Sequence, residues 1–209
     1  MDSAASKEEN EALQIMRRQF SNKTHKTNSV SKPIDVGIGE IAVGYFGDIL
    51  KIASLGSCIG LVFYPKHLTG SDRFAILAHI MLAHSPSEEV VNKRRKSLLA
   101  RGTKIETMFG PAKYADKAVP SMISKINKLG YLPNQLEAKM VGGAKLFGTS
   151  NGLLQIGREN AQFTMNLLKD YEIHLKNYHT GGDTGMSVVF NVSNYELIVT
   201  PAGGFPIVL

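Results

Sequence analysis

Two continuous apolar runs, separated by a short polar loop, most constrain how this chain can fold. The first is Ile59–Tyr64, which ends at Pro65, and the second is Phe74–Leu82. A run without polar alternation is typical of a strand buried on both faces, and each is far shorter than the roughly 18 residues that a membrane span needs. We therefore predict two buried strands. His79 lies within the second run, and a buried strand that holds one histidine needs a reason for it.

Shorter stretches on either side predict further strands and two helices. Apolar side chains recur at helical spacing in Tyr114–Leu129, which Gly130 would end, and in Gly157–Asp170. β-Branched residues on both sides of Ser193-Asn194 indicate a hairpin. Many strands with about two long helices predict an α+β or layered α/β fold in a single domain. The other predicted strands are Asp35–Gly39, Ile41–Tyr45, Ile49–Ala53, Ala138–Val141 and Ile173–Tyr178, and the hairpin arms are Met186–Val192 and Tyr195–Thr200.

The chain divides into a polar N-terminal segment and one folded region. Residues 1–32 are polar and of mixed charge, and we interpret them as a tail and linker; Pro33 opens a folded region that extends to residue 209. Residues 85–110 lack a clear apolar period, and we interpret them as a mobile basic insertion. No signal-peptide pattern is present near Met1, so we expect a soluble, cytoplasmic protein without membrane insertion.

The formal net charge of +6 is concentrated in this insertion. No aromatic residue is interleaved with the basic ones, whereas nucleic-acid binders more often combine the two, so we expect no nucleic-acid partner. Two interpretations stay open: a solvated face, and an electrostatic contact with an acidic protein partner. The basic cluster, which contains no acidic residue, consists of Lys93, Arg94, Arg95, Lys96, Arg101 and Lys104.

Cys58 is the only cysteine, so the chain can form no internal disulfide. Such a cysteine is either a small buried hydrophobic residue or a thiol used in chemistry. The local sequence LGSCIG at 55–60 is compatible with chemistry, since Gly56 permits a tight turn and backbone amides near Gly56 and Ser57 can receive an oxyanion. A free thiol has a pKa of about 8.5, so a nucleophilic cysteine needs a nearby base.

His79 can provide that base. It lies on the next predicted strand after Cys58, and neighbouring strands are about 4.8 Å apart, so the two side chains meet if the strand register allows. A core or surface role is the alternative for any single histidine. The sequence alone leaves the choice open. The other histidines, which serve as the comparison, are His25, His67, His84, His174 and His179.

Neither a phosphate-binding loop nor a metal site is predicted. Gly142-Gly143 is not followed by the lysine and hydroxyl residue of a phosphate loop, and Gly181-Gly182 lacks a dinucleotide-binding pattern. His79 and His84 are five residues apart, without a second cysteine or a metalloprotease motif to support them. We therefore expect no cofactor.

Seven sequence blocks, in order, resemble the signature of the CheD family. Two of them contain the candidate cysteine and histidine: LGSCIGLVFYP at 55–65 and AHIML at 78–82. The resemblance extends over about residues 35–200. The remaining blocks are VGIGE at 36–40, KYAD at 113–116, VGGAKLF at 141–147, IGREN at 156–160 and GGDTG at 181–185.

The resemblance implies a chemoreceptor glutamine deamidase, that is, a protein-glutamine glutaminase. Such an enzyme hydrolyses selected glutamine side chains on the cytoplasmic domain of a chemoreceptor to glutamate and ammonia. The resemblance implies that Cys58 attacks the carboxamide carbon, that His79 passes the proton to ammonia, and that water then releases a thioester. It also implies binding to a CheC-type phosphatase and an α/β/α sandwich fold. The alternative is a catalytically weak adaptor that binds receptor and phosphatase.

The chain departs from the family pattern in two places. A threonine five or six residues before the cysteine usually completes the site, whereas those positions here are Ala53 and Ile52. If the strand Ile49–Ala53 continues, Ser54 faces the same side as Ile52 and can replace the threonine. A backbone hydrogen bond in the turn is the alternative for Ser54. The last block is followed by Met186, where the family commonly has arginine.

Overall fold

The computed structural model describes residues 33–87, 89, 90, 92, 110–145 and 156–209. The predictions for residues 1–32 and for most of 85–110, including the basic cluster, lie outside the described residues. The strands are β1 (Ile34–Asp35), β2 (Ile41–Tyr45), β3 (Ile49–Leu55), β4 (Ile59–Pro65), β5 (Phe74–Ile80), β6 (Leu136–Gly142), β7 (His174–Thr180), β8 (Met186–Asn191), β9 (Glu196–Pro201) and β10 (Ile207–Val208). The helices are α1 (Ala115–Lys128) and α2 (Ile156–Asp170), with short 3₁₀ turns at Gly70–Asp72 and Pro133–Gln135.

The two apolar runs form neighbouring strands in a five-stranded sheet, the central sheet, with the order β2-β5-β4-β6-β7. β4 pairs antiparallel with both β5 and β6, and every residue of β4 and β5 is buried. The prediction of two strands buried on both faces is confirmed. β5 ends at Ile80 rather than at Leu82, because the chain there turns to meet another segment: the Leu82 N–H donates to the Lys113 carbonyl at 3.0 Å.

A second sheet, the outer sheet, has the order β1-β3-β8-β9-β10. β8 and β9 form the predicted hairpin, and burial alternates along β8 so that Met186, Val188 and Phe190 are buried. These three side chains pack in one cluster with Leu50 of β3 and Val62 of β4. The outer sheet therefore covers one face of the central sheet.

The two helices cover the opposite face. Met122 of α1 and Leu168 of α2 belong to one cluster with Leu61 of β4 and Ile76 of β5. The described layers are thus helices, central sheet and outer sheet. The predicted single α+β domain is confirmed, but the α/β/α layering is not observed, since the outer sheet covers the face where a second helical layer would lie.

Both predicted helices are present with ends within one residue of those expected. α1 is followed, as predicted, by Gly130, whose φ of 83° lies in the left-handed region that favours glycine. Pro120 lies inside α1. No helix in the described part of the chain has both the length and the apolar character that a membrane crossing requires.

Candidate active site

Cys58 lies in the turn of residues 56–58 that joins β3 to β4, one residue before β4 begins. Its side chain is partly buried and packs against the cluster between the two sheets. Two backbone amides that follow β6 hold this turn. The Gly143 N–H donates to the Cys58 carbonyl and the Ala144 N–H donates to the Gly56 carbonyl, both at 2.8 Å. The turn is therefore bound to the end of the central sheet.

The glycine pair Gly142-Gly143 makes this close approach possible. Gly142 has a φ of 107° and Gly143 a φ of 67°, which side chains rarely allow. A Cβ atom at Gly142 would lie only 2.2 Å from the carbonyl oxygen of Cys58. Gly142-Gly143 is not part of a phosphate loop. These two glycines instead allow the backbone after β6 to pack against the Cys58 turn.

Cys58 and His79 lie on the same side of the central sheet, because Cys58 packs against the cluster between the sheets and His79 follows Leu77 of that cluster by two residues along β5. His79 of β5 is the direct partner of Gly60 in β4, and Cys58 precedes Gly60 by two residues. Cys58 itself lies in the turn before β4, outside the paired residues of the two strands. Gly60 itself has no side chain, and the space beside it is occupied by the side chains of Leu55, Val141 and Ile52. The pairing of Cys58 with His79 therefore stays a prediction, which their location on the same side of the central sheet supports.

His79 is almost fully buried, at 3% exposure. Its Nδ1 atom lies 3.3 Å from the Val36 carbonyl oxygen, and its Nε2 atom is buried without a hydrogen-bond partner among the described residues. Because a carbonyl only accepts, this bond places the ring proton on Nδ1 and leaves the Nε2 lone pair free. His79 is also fixed through its backbone, since the Gly39 N–H donates to the His79 carbonyl at 2.8 Å.

Burial shifts both titrating groups toward their neutral forms. It raises the pKa of the Cys58 thiol above its usual value, and this effect exceeds that of a backbone hydrogen bond within Cys58, which lowers the pKa. Burial also lowers the pKa of the His79 imidazole, against the opposing effects of the Val36 hydrogen bond and the Glu40 charge. Burial therefore favours the neutral thiol of Cys58 and the neutral imidazole of His79 over their charged forms.

The carbonyls of Gly56 and Ser57 accept hydrogen bonds from outside the turn. Gly56 receives one from the backbone after β6, and the Ser57 carbonyl receives one from the Asn160 side-chain nitrogen at 2.9 Å. Among the described residues, the N–H groups of Gly56 and Ser57 donate no hydrogen bond to a backbone carbonyl outside the regular strands. These two amides are the groups for which an oxyanion role was predicted, and that role stays a prediction.

The expectation that Ser54 faces the same side as Ile52 is wrong. The pairing of β3 with β8 is irregular between Ile52 and Leu55: two residues of β3 lie opposite one residue of β8, so one extra residue interrupts the alternation. Ile52 and Leu55 are both buried, and their side chains fill the space beside Gly60, whereas Ser54 is exposed. Ser54 is thus not on the face that carries Cys58 and His79.

The sequence blocks of the family resemblance, distant along the chain, meet around this turn. The Gly181 N–H donates to the Gly142 carbonyl at 2.9 Å, and the Lys145 N–H donates to the Gly182 carbonyl at 2.8 Å. The first block supplies Val36, and the block at 156–160 supplies Asn160. Individual roles for Val36 and Asn160 were not predicted. Their place in the blocks was the only sequence signal that pointed to them.

A metal centre has no support in the described part of the chain, where no three His, Cys, Asp or Glu side chains come together. His84, one of the comparison histidines, contacts α2. Its ring is in contact with Phe163, and its Nε2 atom is 3.9 Å from the Glu159 carboxylate, both on α2.

Comparison with known proteins finds one family model and a set of similar chains. Residues 98–201 match the family model described as CheD chemotactic sensory transduction. A protein of Archaeoglobus fulgidus named "Probable chemoreceptor glutamine deamidase CheD" is 35% identical over 170 residues, which cover 81% of this chain and 93% of that protein. A Clostridium botulinum protein of the same name is 32% identical over 174 residues, covering 82% and 94%.

Proposed function

The chain belongs to the CheD family, and we propose that it deamidates glutamine side chains on chemoreceptors by nucleophilic catalysis with Cys58 and His79. The names of its relatives support the reaction and the receptor as substrate. The observation that carries the assignment to this site is the placement of Cys58 and His79 on one face, with His79 Nε2 buried and unpaired. A base held ready to accept a proton beside a lone thiol is what amide hydrolysis by cysteine requires.

The proposed reaction begins with proton transfer from thiol to imidazole. As Cys58 Sγ attacks the glutamine carboxamide carbon, its proton passes to His79 Nε2, and the carbonyl oxygen becomes an oxyanion that the Gly56 and Ser57 amides can bind. The C–N bond then breaks, and His79 gives the proton to the leaving nitrogen to form ammonia. Water, deprotonated by His79, hydrolyses the remaining thioester to glutamate and restores the thiol.

The neutral resting pair makes His79 a general base rather than the partner of a preformed thiolate. Burial keeps the imidazole unprotonated, so it can accept the proton at the moment of attack. The Val36 carbonyl then receives the Nδ1–H of the imidazolium that forms. This bond supplies the orientation that the family threonine would provide, which supports catalysis in a chain that has Ile52 and Ala53 instead.

A second candidate is an adaptor that binds a chemoreceptor and a CheC-type phosphatase without rapid turnover. The observation that favours it is the missing threonine, since Ile52 is fully buried and presents only methyl groups beside Gly60. In this alternative the receptor still binds, but its glutamines remain unchanged.

One experiment separates the two candidates. A purified chemoreceptor cytoplasmic fragment is incubated with the protein, and the modified peptides are identified by mass spectrometry while released ammonia is measured. We expect conversion at a few defined glutamines, and no conversion with the matched Cys58→Ser variant, which retains the size of the side chain. Co-sedimentation with the fragment without any glutamine-to-glutamate conversion would favour the adaptor.

A further inference from the structure

Asn160 of α2 joins the two segments that carry Cys58 and His79. Its Nδ2 atom donates to the Ser57 carbonyl and to the Met81 carbonyl, each at 2.9 Å. Ser57 directly precedes Cys58, and Met81 follows His79 by two residues. One amide group therefore connects the end of β5 to the turn that opens β4.

The chemistry of this contact requires an amide side chain. A primary amide carries two N–H donors on one nitrogen, so it can satisfy two carbonyls that converge on the same point. Aspartate has a similar size but only accepts when ionised, and alanine would leave both carbonyls without this donor. The two carbonyls belong to turns outside the regular ladder, where no strand partner replaces the lost bonds.

The position of Asn160 is itself fixed by α2. The buried Thr164 hydroxyl donates to the Asn160 carbonyl at 2.7 Å. One turn earlier, a Cβ atom at Gly157 would lie 2.5 Å from the Gly143 carbonyl oxygen and 2.7 Å from that of Ala144. α2 thus packs directly on the backbone that holds the Cys58 turn, and Asn160 extends from this contact to both candidate catalytic segments.

We propose that Asn160 is a positioning residue that fixes the Cys58 turn relative to His79. This inference rests on the proposed function, in which Cys58 and His79 perform the reaction. Asn160 is only 1% exposed, so it cannot contact a protein substrate and acts through the two segments it joins. Loss of this connection lets the distance between the Cys58 sulfur and the His79 nitrogen vary.

Two readouts of the Asn160→Ala variant test the proposal. The deamidation kcat should fall roughly 10- to 100-fold with little change in KM, because misplacement of reacting groups affects the chemical step rather than binding. The pH at which Cys58 becomes reactive toward iodoacetamide should also fall, because a loosened turn relieves the burial that raises the thiol pKa. Cys58 is the only cysteine, so the alkylation signal has one source.

Leu168→Ala is the matched control, since it removes a larger buried side chain from the same helix without touching the turn. It should lower stability yet keep the parent kcat and alkylation profile. If Asn160→Ala does not fold, Asn160→Ser should show the same two shifts. Parent-like alkylation and kcat in the folded Asn160 variant, or equal changes in Leu168→Ala, would overturn the inference. Absence of ammonia release by the parent protein would instead refute the proposed function, and the alkylation comparison would still decide the role of Asn160.

Discussion

Replacing Gly142 by alanine should lower the stability of the protein by more than the strain of a positive φ alone, because the new side chain would also collide with the Cys58 turn. The new Cβ would lie 2.2 Å from the Cys58 carbonyl oxygen, and ordinary contact begins at 3.4 Å, so the two segments must separate by about 1.2 Å (3.4 − 2.2). That movement removes the 2.8 Å bond between the Gly143 N–H and the Cys58 carbonyl. A φ of 107° costs a side-chain-bearing residue about 1–3 kcal/mol, and the lost buried bond costs about 1–3 kcal/mol more.

Gly47→Ala is the matched control for this prediction. Gly47 has a φ of 94°, but a Cβ there would meet nothing within 4 Å. Urea denaturation should therefore show a loss of about 2–6 kcal/mol in unfolding free energy for Gly142→Ala and only about 1–3 kcal/mol for Gly47→Ala. Deamidation should fall by about 100-fold only for Gly142→Ala, because only that variant displaces the nucleophile. Equal stability losses, or parent activity in Gly142→Ala, would refute the close contact.

Three further outcomes follow from the site. Because burial lowers the pKa of His79 below its usual 6.5, deamidation should persist as the pH falls through 6.5. It should be lost only at lower pH, where a protonated imidazole can no longer accept the thiol proton. A loss of kcat/KM that begins at or above pH 6.5 would contradict this. Ile52→Thr should raise the deamidation rate by at most about tenfold, because the Val36 carbonyl already orients the His79 ring. A 100-fold gain in ammonia release would show that the Val36 carbonyl does not provide this orientation. Ser54→Ala should match the parent rate within about twofold because Ser54 is exposed, and a larger loss would assign it a part in the site.

Strands β4 and β5 were predictable because burial on both faces leaves a local signature in the sequence. The predicted strand Asp35–Gly39 is wrong, since β1 ends at Asp35 and the chain then turns at Gly39, whose φ is 81°. The apolar runs of β4 and β5 need no knowledge of the rest of the chain, and the helical spacing of α1 and α2 is equally local. The layering depends on which surface meets which face of the central sheet, and that is not a local property. The amphipathic β8–β9 hairpin was predicted as a hairpin, but nothing in its sequence says that it covers the central sheet.

The candidate nucleophile and base could be found from the sequence, but the contacts that hold them could not. The residue types cysteine and histidine themselves indicate nucleophilic and acid–base chemistry. The Val36 acceptor, in contrast, is a backbone carbonyl, which every residue has. The side of the sheet on which Ser54 lies was predicted incorrectly, because strand alternation gives the side only as far as the first bulge. This bulge depends on the pairing of β3 with β8, which the local sequence does not reveal. Asn160 acts through two carbonyls far away in the sequence, so no spacing reveals it.

The most direct test of the central claim measures ammonia release from a chemoreceptor cytoplasmic fragment by the parent protein, Cys58→Ala and His79→Gln at equal concentration. Cys58→Ala trades a small side chain for a smaller one and should keep its circular dichroism spectrum while releasing no ammonia above background. His79→Gln should keep the fold and lose roughly 100-fold or more in rate, as expected for removal of a general base. Undiminished ammonia release by Cys58→Ala would contradict the account.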